Sequence, residues 1–312
     1  MFIVTNLDQF HTLKRQAIAV GKFDGVHLGH RKLLNEILKR KQDQVRACVL
    51  TFDPLPEVYF GVAGGGTLST KEEKRRLFDA MGIDVLVELP FNHKTASMDP
   101  EKFVKNILCG KLHASAVVAG PDLSFGDQGK GNFALLRSLQ DKYGFEAIEI
   151  EKEKHNGVPI SSTMIRNLVR QGKMEEVAQC LGEPYRILGT VMHGNAIGRK
   201  IGIPTINQVP ESDKLLPPYG VYYSLVQLDG KEYEGMTNIG VKPTVTSSGA
   251  VTVETYIYGY TGNLYGRVLS TSLLTYRRPE QHFSGIDELR SMMEQDLEAG
   301  KKYHENRKKN KP

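Results

Sequence analysis

The first half of the chain alternates short apolar runs with longer stretches in which apolar residues recur every three or four positions. The runs AIAVG at 17–21, RACVLTF at 46–52, VLVELPF at 85–91, AVVAG at 116–120 and EAIEI at 146–150 predict buried strands. Between them, helices are predicted to begin near His30, Thr70, Asp99 and Asn132. Thr70 opens a capping-box pattern with Glu73, Pro100 occupies a first helical turn, and Asn132 can cap FALLRSLQDKYG. Such alternation over residues 1 to about 150 is the pattern of an α/β doubly wound parallel sheet, whose ligands sit beyond the carboxyl ends of the strands.

After about residue 186 the texture changes. ILGTVMHG, VYYSLVQL, YEGMTNIGV, VTVETYIYGY and VLSTSLLTYR are β-rich runs joined by Gly, Pro and Asp-Gly turns. They predict an antiparallel β-barrel or sandwich, and the amphipathic helix IDELRSMMEQDLEAGKKYHE closes the chain. Gly182 and Pro184 end the preceding helix, so the expected domains are 1–185 and 186–312.

Composition narrows the class. With 312 residues, 40% hydrophobic and 25% charged, the chain has the make-up of an ordinary soluble protein of two domains. No apolar run approaches membrane-spanning length and the N-terminus has no signal-peptide shape, so the expected location is cytoplasmic, with no membrane partner. The net charge of +5 resides in KKYHENRKKNKP at the C-terminus, which carries six basic residues and one acidic. It reads as a solvated tail, and no nucleic acid partner is expected. Cys48, Cys109 and Cys180 show neither metal-site nor disulfide spacing and are expected as buried thiols.

Candidate chemistry centres on VGKFDGVHLGHRK at 20–32. His27 and His30 are three apart, so both fall on the first turn of the helix that follows the AIAV strand. Unpaired N–H groups and the positive end of the helix dipole favour a phosphate there. Asp53-Pro54 is an expected turn, and GVAGGGT at 61–67 an expected flexible flap. Ser161, Ser162 and Thr163 stand before an amphipathic helix, where they cap it or take a phosphate, and Arg166 lies one turn in. In HGNAIGRKIGIPTINQ, at 193–208, Gly194, Gly198 and Gly202 allow close backbone approach to phosphates, and Arg199 and Lys200 add charge. Thr205 and Asn207 offer the neutral oxygens that Mg²⁺ accepts beside phosphates and water. Alternation along VTVETYIY puts Thr252, Glu254, Tyr256 and Tyr258 on one face, with Glu254 its lone carboxylate. Taken alone, the serines read first as an N-cap, the glycine-rich loop as a turn, and Glu254 as a solvated strand residue.

Together these segments resemble one family. GKFDGVHLGH resembles the signature of the HxGH nucleotidyltransferases, in the form found in bacterial bifunctional riboflavin kinase/FAD synthetases. AGPDLSFGDQGKG resembles the family's G-x-D/N-F-x-F-G segment, ISSTMIR its ISSTxxR segment, and HGNAIGRKIGIPTIN its HGxxxGRxxGxPTAN motif. NIGVKPTV, LYG at 264–266 and RRPEQHF also match in family order. Departures are Leu55 for a histidine, Ile206 for alanine, Asn263 for aspartate, and Lys242 and Val245.

The resemblance implies that His27, His30 and Arg166 serve adenylyl transfer. Gly21, Phe23, Asp24, Gly25, Gly29, Asp122, Ser161, Ser162 and Thr163 would hold nucleotide or phosphate. In the second module Gly194, Gly198, Arg199 and Lys200 would hold phosphate, Thr205 and Asn207 Mg²⁺, and Glu254 would be the general base. The implied reactions are phosphorylation of riboflavin by ATP to FMN, then adenylylation of FMN by ATP to FAD. The implied partners are these small molecules, with the protein a monomer or weak homo-oligomer. A single-activity FAD synthetase with a non-catalytic flavin-binding module, a nucleotidyltransferase for another acceptor, and a flavin-binding regulator are the alternatives.

Overall fold

The computed structural model describes residues 1–62, 64–194, 197–241 and 251–310, with the side chains of Ile197 and Lys200 outside the description. Lys242, Val245 and the side chain of Lys200, singled out above, therefore lie outside the described residues. Two compact units are present, Met1–Ser162 and Thr163–Pro312.

In the first unit β1 (Phe2–Val4), β2 (Arg15–Val20), β3 (Val45–Asp53), β4 (Val85–Pro90), β5 (Ala114–Ala119) and β6 (Glu146–Glu149) form one sheet. Its order is β1-β4-β3-β2-β5-β6 and every pairing is parallel. Helix α1 (Leu28–Lys39) follows β2, while α2 (Pro56–Tyr59) and α3 (Lys71–Ala80) follow β3. Between β4 and β5 lie α4 (His93–Ala96), α5 (Pro100–Lys102) and a π-helical run, Phe103–Lys111. Helix α6 (Phe133–Tyr143) precedes β6, and β7 (Lys154–His155) pairs with β8 (Val158–Pro159). The predicted caps form: Thr70 and Glu73 make a capping box, and Asp99 and Asn132 accept from Lys102 N–H and Leu135 N–H.

The strand alternation sorts the core onto the two sheet faces. Ala17 and Ala19 pack with Leu33, Leu34 and Ile37 of α1, whereas Ile18 and Val20 pack with Val104, Leu108 and Leu136. Small residues on the first face, with Ala47 and Ala116 beside them, let α1 lie close to the sheet. Strand β1 was not expected from the sequence; with three residues it shows too little alternation to detect.

Helix α7 (Ser162–Arg170) starts on the last residue of the first unit, and the second unit continues with α8 (Met174–Leu181), β9 (Tyr185–Met192), α9 (Ile197–Lys200), β10 (Ile206–Pro210), β11 (Gly220–Leu228), β12 (Lys231–Val241), β13 (Val251–Ile257) and β14 (Val268–Pro279). These strands close an antiparallel barrel in the order β10-β13-β12-β11-β14-β9, which settles barrel against sandwich. Helix α8 packs on β9 and β14, so the stretch before Gly182 groups with the barrel rather than with the sheet. Inside the barrel Ser224, Thr237 and Thr255 form a hydroxyl chain at 2.7 and 2.9 Å, and Gln208 receives a hydrogen bond from Thr271 at 2.6 Å. The last helix, α10 (Ile286–Lys309), extends through the basic segment expected as a solvated tail. There Lys308 pairs with Glu234 at 2.8 Å, and the cations complement the negative end of the helix.

Candidate active sites

In the first unit the chain leaves central β2 on one side for β3 and returns on the other for β5. The loops leaving β2 and β5 therefore diverge, opening a crevice at the carboxyl edge. The loop leaving β2 runs into α1, whose N-cap and first turn carry the two histidines, and the β5 loop carries Asp122.

His27 is the N-cap of α1, and its Nδ1 accepts from the backbone N–H of His30 at 3.4 Å. The two imidazoles stack at 3.7 Å with 17° between their planes, and His30 also meets Phe23. A Cβ on Gly29 would fall 3.2 Å from Cε1 and Nδ1 of His27, a crowded approach that glycine avoids. Because Nδ1 accepts, the His27 proton sits on Nε2. Burial pushes the His27 pKa down to about 4, opposed by the Asp122 carboxylate and reinforced by Lys152. Burial also holds His30 well below the ordinary histidine range, with His27 and the Lys74 ammonium acting in the same direction. Both rings are thus neutral N–H donors at neutral pH, placed where α1 presents its unpaired backbone N–H groups.

The loop that holds them is strained and clamped. Phe23 and Val26 are fully buried yet have φ of +52° and +41°, a region that costs a side chain about 1 kcal/mol or more. Asp24, 1% exposed, accepts backbone N–H bonds from Leu68 at 2.8 Å and Ser69 at 3.1 Å. The Ser162 hydroxyl donates to the Asp24 carbonyl at 2.9 Å, which ties the second sequence motif to the first. Phe23 and Asp24, expected to meet nucleotide, thus have side chains turned into the protein, where they shape the loop. Leu55, the residue in the place of a family histidine, is buried. Asp122 pairs with Lys152 at 3.0 Å. Ser162 and Thr163 lie inside the first turn of α7 rather than before it, and Arg166 follows one turn on. Buried Lys74, on the same face of α3 as Phe78, was not singled out from sequence; its spacing from Phe78 was the available signal.

In the second unit a cavity of about 430 Å³ is lined by Thr205, Asn207, Asn238, Glu254, Arg278 and Glu280 together with Val221, Met236, Phe283, Leu289 and Met293. It lies on the outer face of the barrel, because Thr255, adjacent to Glu254 in β13, points into the hydroxyl chain of the interior. Asn207 stands directly opposite Glu254 across β10 and β13, and α10 supplies Leu289, Met293 and Asp296. Ile206 packs against the barrel cluster on the face opposite Asn207, so the departure from alanine leaves the donor at the cavity. Gly194 and Gly198 lie against the Asn207 amide and the Ile203 carbonyl, so their missing side chains serve the loop's own packing. Arg199 donates to the Tyr265 hydroxyl at 3.4 Å, and His193 stacks on the same ring. Asp296 is 1% exposed and receives Arg278 at 2.8 Å. Asn238, Arg278, Glu280 and Asp296 were given no role by sequence reasoning, although NIGVKPTV and RRPEQHF marked their neighbourhoods.

A family model described as FAD synthetase matches residues 9–164, and one described as riboflavin kinase matches residues 181–304. A "Bifunctional riboflavin kinase/FMN adenylyltransferase" from Buchnera aphidicola subsp. Schizaphis graminum is 34% identical, covering 94% of this chain and 96% of the relative. One of the same name from Listeria monocytogenes is 34% identical, covering 90% of each. A crystal structure from Streptococcus pneumoniae, named a macrolide-efflux protein, has a TM-score of 0.83 at 27% identity, covering 96% of this chain and 98% of that one. Among the described residues no helix of this chain is long and apolar enough to cross a membrane.

Proposed function

Since the chain belongs to the bifunctional riboflavin kinase/FMN adenylyltransferase family, we propose that the histidine crevice carries the adenylylation and the barrel-face cavity the phosphorylation. The protein is an enzyme of flavin cofactor synthesis: it phosphorylates riboflavin to FMN and adenylylates FMN to FAD, using ATP in both reactions.

In the kinase reaction the Glu254 carboxylate takes the proton of the terminal ribityl hydroxyl as its oxygen attacks the γ-phosphorus and ADP leaves. Thr205 and Asn207 supply neutral hard oxygens to the same cavity, a donor set that fits Mg²⁺ sharing its remaining positions with phosphate and water. When bound, that ion would neutralise charge on the transferred phosphoryl group.

In the adenylyl reaction a phosphate oxygen of FMN attacks the α-phosphorus of ATP and pyrophosphate leaves. His27 and His30, neutral and stacked at the helix terminus, donate N–H bonds to the oxygens on which charge grows. The hydroxyl of Ser161 takes a further phosphate contact, as the family motif implies. Two ATP-dependent reactions and three free cysteines fit a cytoplasmic enzyme.

The observation that supports the kinase assignment is the cross-strand pairing of Asn207 with Glu254, both of which line one cavity. The test is flavin chromatography after incubation with ATP and Mg²⁺. Glu254→Gln is expected to leave riboflavin unchanged while still converting supplied FMN to FAD. The double variant His27→Ala, His30→Ala is expected to accumulate FMN. FAD formation at the wild-type rate by the double variant, or FMN formation by Glu254→Gln, overturns the corresponding assignment.

A further inference from the structure

One lateral row crosses five strands on the outer face of the barrel. Asn207 of β10 stands beside Glu254 of β13, which stands beside Asn238 of β12, then Val221 of β11 and Arg278 of β14. All five line the cavity. Neighbouring strands are about 4.8 Å apart, so Asn238 stands one such step beyond Glu254, on the side away from Asn207. A substrate whose reacting hydroxyl is at Glu254 and whose phosphoryl donor is toward Asn207 has one direction left, past Asn238 toward Val221, Met236 and Met293. Asn238 therefore faces whatever joins the reacting hydroxyl to the apolar ring system. In riboflavin that segment bears three internal hydroxyls.

Glu280, immediately after β14, lies over this row. Its Oε1 is 3.5 Å from Asn238 Nδ2, and its carboxylate rests against Gly240 in the space a Cβ would otherwise occupy. Gly240 is two residues beyond Asn238 on the same strand face, so one glutamate covers both positions. A carboxylate only accepts, so it takes the amide's NH₂ side and turns the Asn238 carbonyl oxygen elsewhere. That oxygen is then an oriented acceptor.

We propose that Asn238, set by Glu280, reads the internal hydroxyls of the polyol chain and so selects a ribityl side chain over a plain alkyl alcohol. Asn238 is the specificity residue, and Glu280 acts through it as a positioning residue. The inference rests on the reading of Glu254 as the group that meets the terminal hydroxyl.

The test compares two substrates on the full-length enzyme: riboflavin, and the flavin carrying a 5-hydroxypentyl chain, which keeps the terminal hydroxyl and lacks the internal three. The readout is the ratio of their kcat/KM values for phosphorylation, which does not depend on the fraction of active protein. One neutral hydrogen bond corresponds to roughly a tenfold effect. Asn238→Ala is expected to lower the riboflavin preference about tenfold by slowing riboflavin while the pentyl flavin keeps its rate. Glu280→Gln, which leaves Asn238 in place but no longer dictates its orientation, is expected to lower the ratio in the same direction. Wild-type ratios in both variants overturn the proposal. Glu254→Gln is assayed in parallel: FMN formation surviving there overturns the reading beneath it, whereas its loss together with unchanged ratios overturns the polyol reading alone.

Discussion

Acidification probes the environment of His27. The ring is 8% exposed, caps α1 through Nδ1 and stacks on His30, and its pKa is held at about 4 instead of 6.5. At pH 5.5 an ordinary histidine is about 90% imidazolium, whereas one with a pKa of about 4 is roughly 3%. The shift corresponds to about 3 kcal/mol in favour of the neutral ring. A protonated Nδ1 cannot accept the His30 N–H, so charging the ring also removes the cap. The unfolded chain takes up this proton as pH falls through about 6.5, while the folded protein resists until about 4. The folded state thus loses stability between those values as pH falls, by roughly 2 kcal/mol at pH 5 from this residue alone. The assay is NMR titration of the histidine Cε1–H resonances of the full-length protein from pH 8 to 4.5, with the His27 signal assigned by its absence in His27→Gln. It is expected to hold its neutral position to about pH 5. A midpoint near 6.5 refutes the buried, Nδ1-accepting ring and with it the neutral-donor role.

Two substitutions test the separate sites. Gly29→Ala pushes a methyl group to 3.2 Å from the His27 ring, and displacing that ring is expected to slow FAD formation from FMN about tenfold or more while FMN formation from riboflavin continues, as followed by chromatography. Arg278→Met leaves Asp296, 1% exposed, without its 2.8 Å partner. With Arg277 at 3.6 Å as partial compensation, it is expected to lower stability by about 3 kcal/mol in thermal unfolding and to weaken riboflavin binding at the wall that α10 provides.

Local signals in the sequence settle much of the molecule. The AIAV run and its counterparts mark strands buried on both faces, because a parallel sheet covered by helices hides every position of its central strands. Thr70, Asp99 and Asn132 mark helix starts, because a cap is a contact between residues three apart. The spacing of His27 and His30 places both rings at one helix terminus for the same reason. The alternation in β13 sets Glu254 apart from Val253 and Thr255 before any packing is known.

What the sequence by itself did not determine depends on residues far apart in the chain. The neutral state of the histidines arises from burial, and burial is a property of the assembled loop, with Asp24 fixed to residues 68 and 69. Phe23 and Asp24, which the motif marks as ligand contacts, turn their side chains into the loop's internal support. Strand β10 was hidden in a glycine-rich segment, since five residues give too few alternations until β9 and β13 flank them. The row from Asn207 to Arg278 exists only after five strands have taken their register. The sequence by itself marked candidate residues for chemistry, because that signal lies in side-chain type and short-range spacing. Tertiary structure alone decided which of them share a cavity, because strand register joins residues that no local pattern relates.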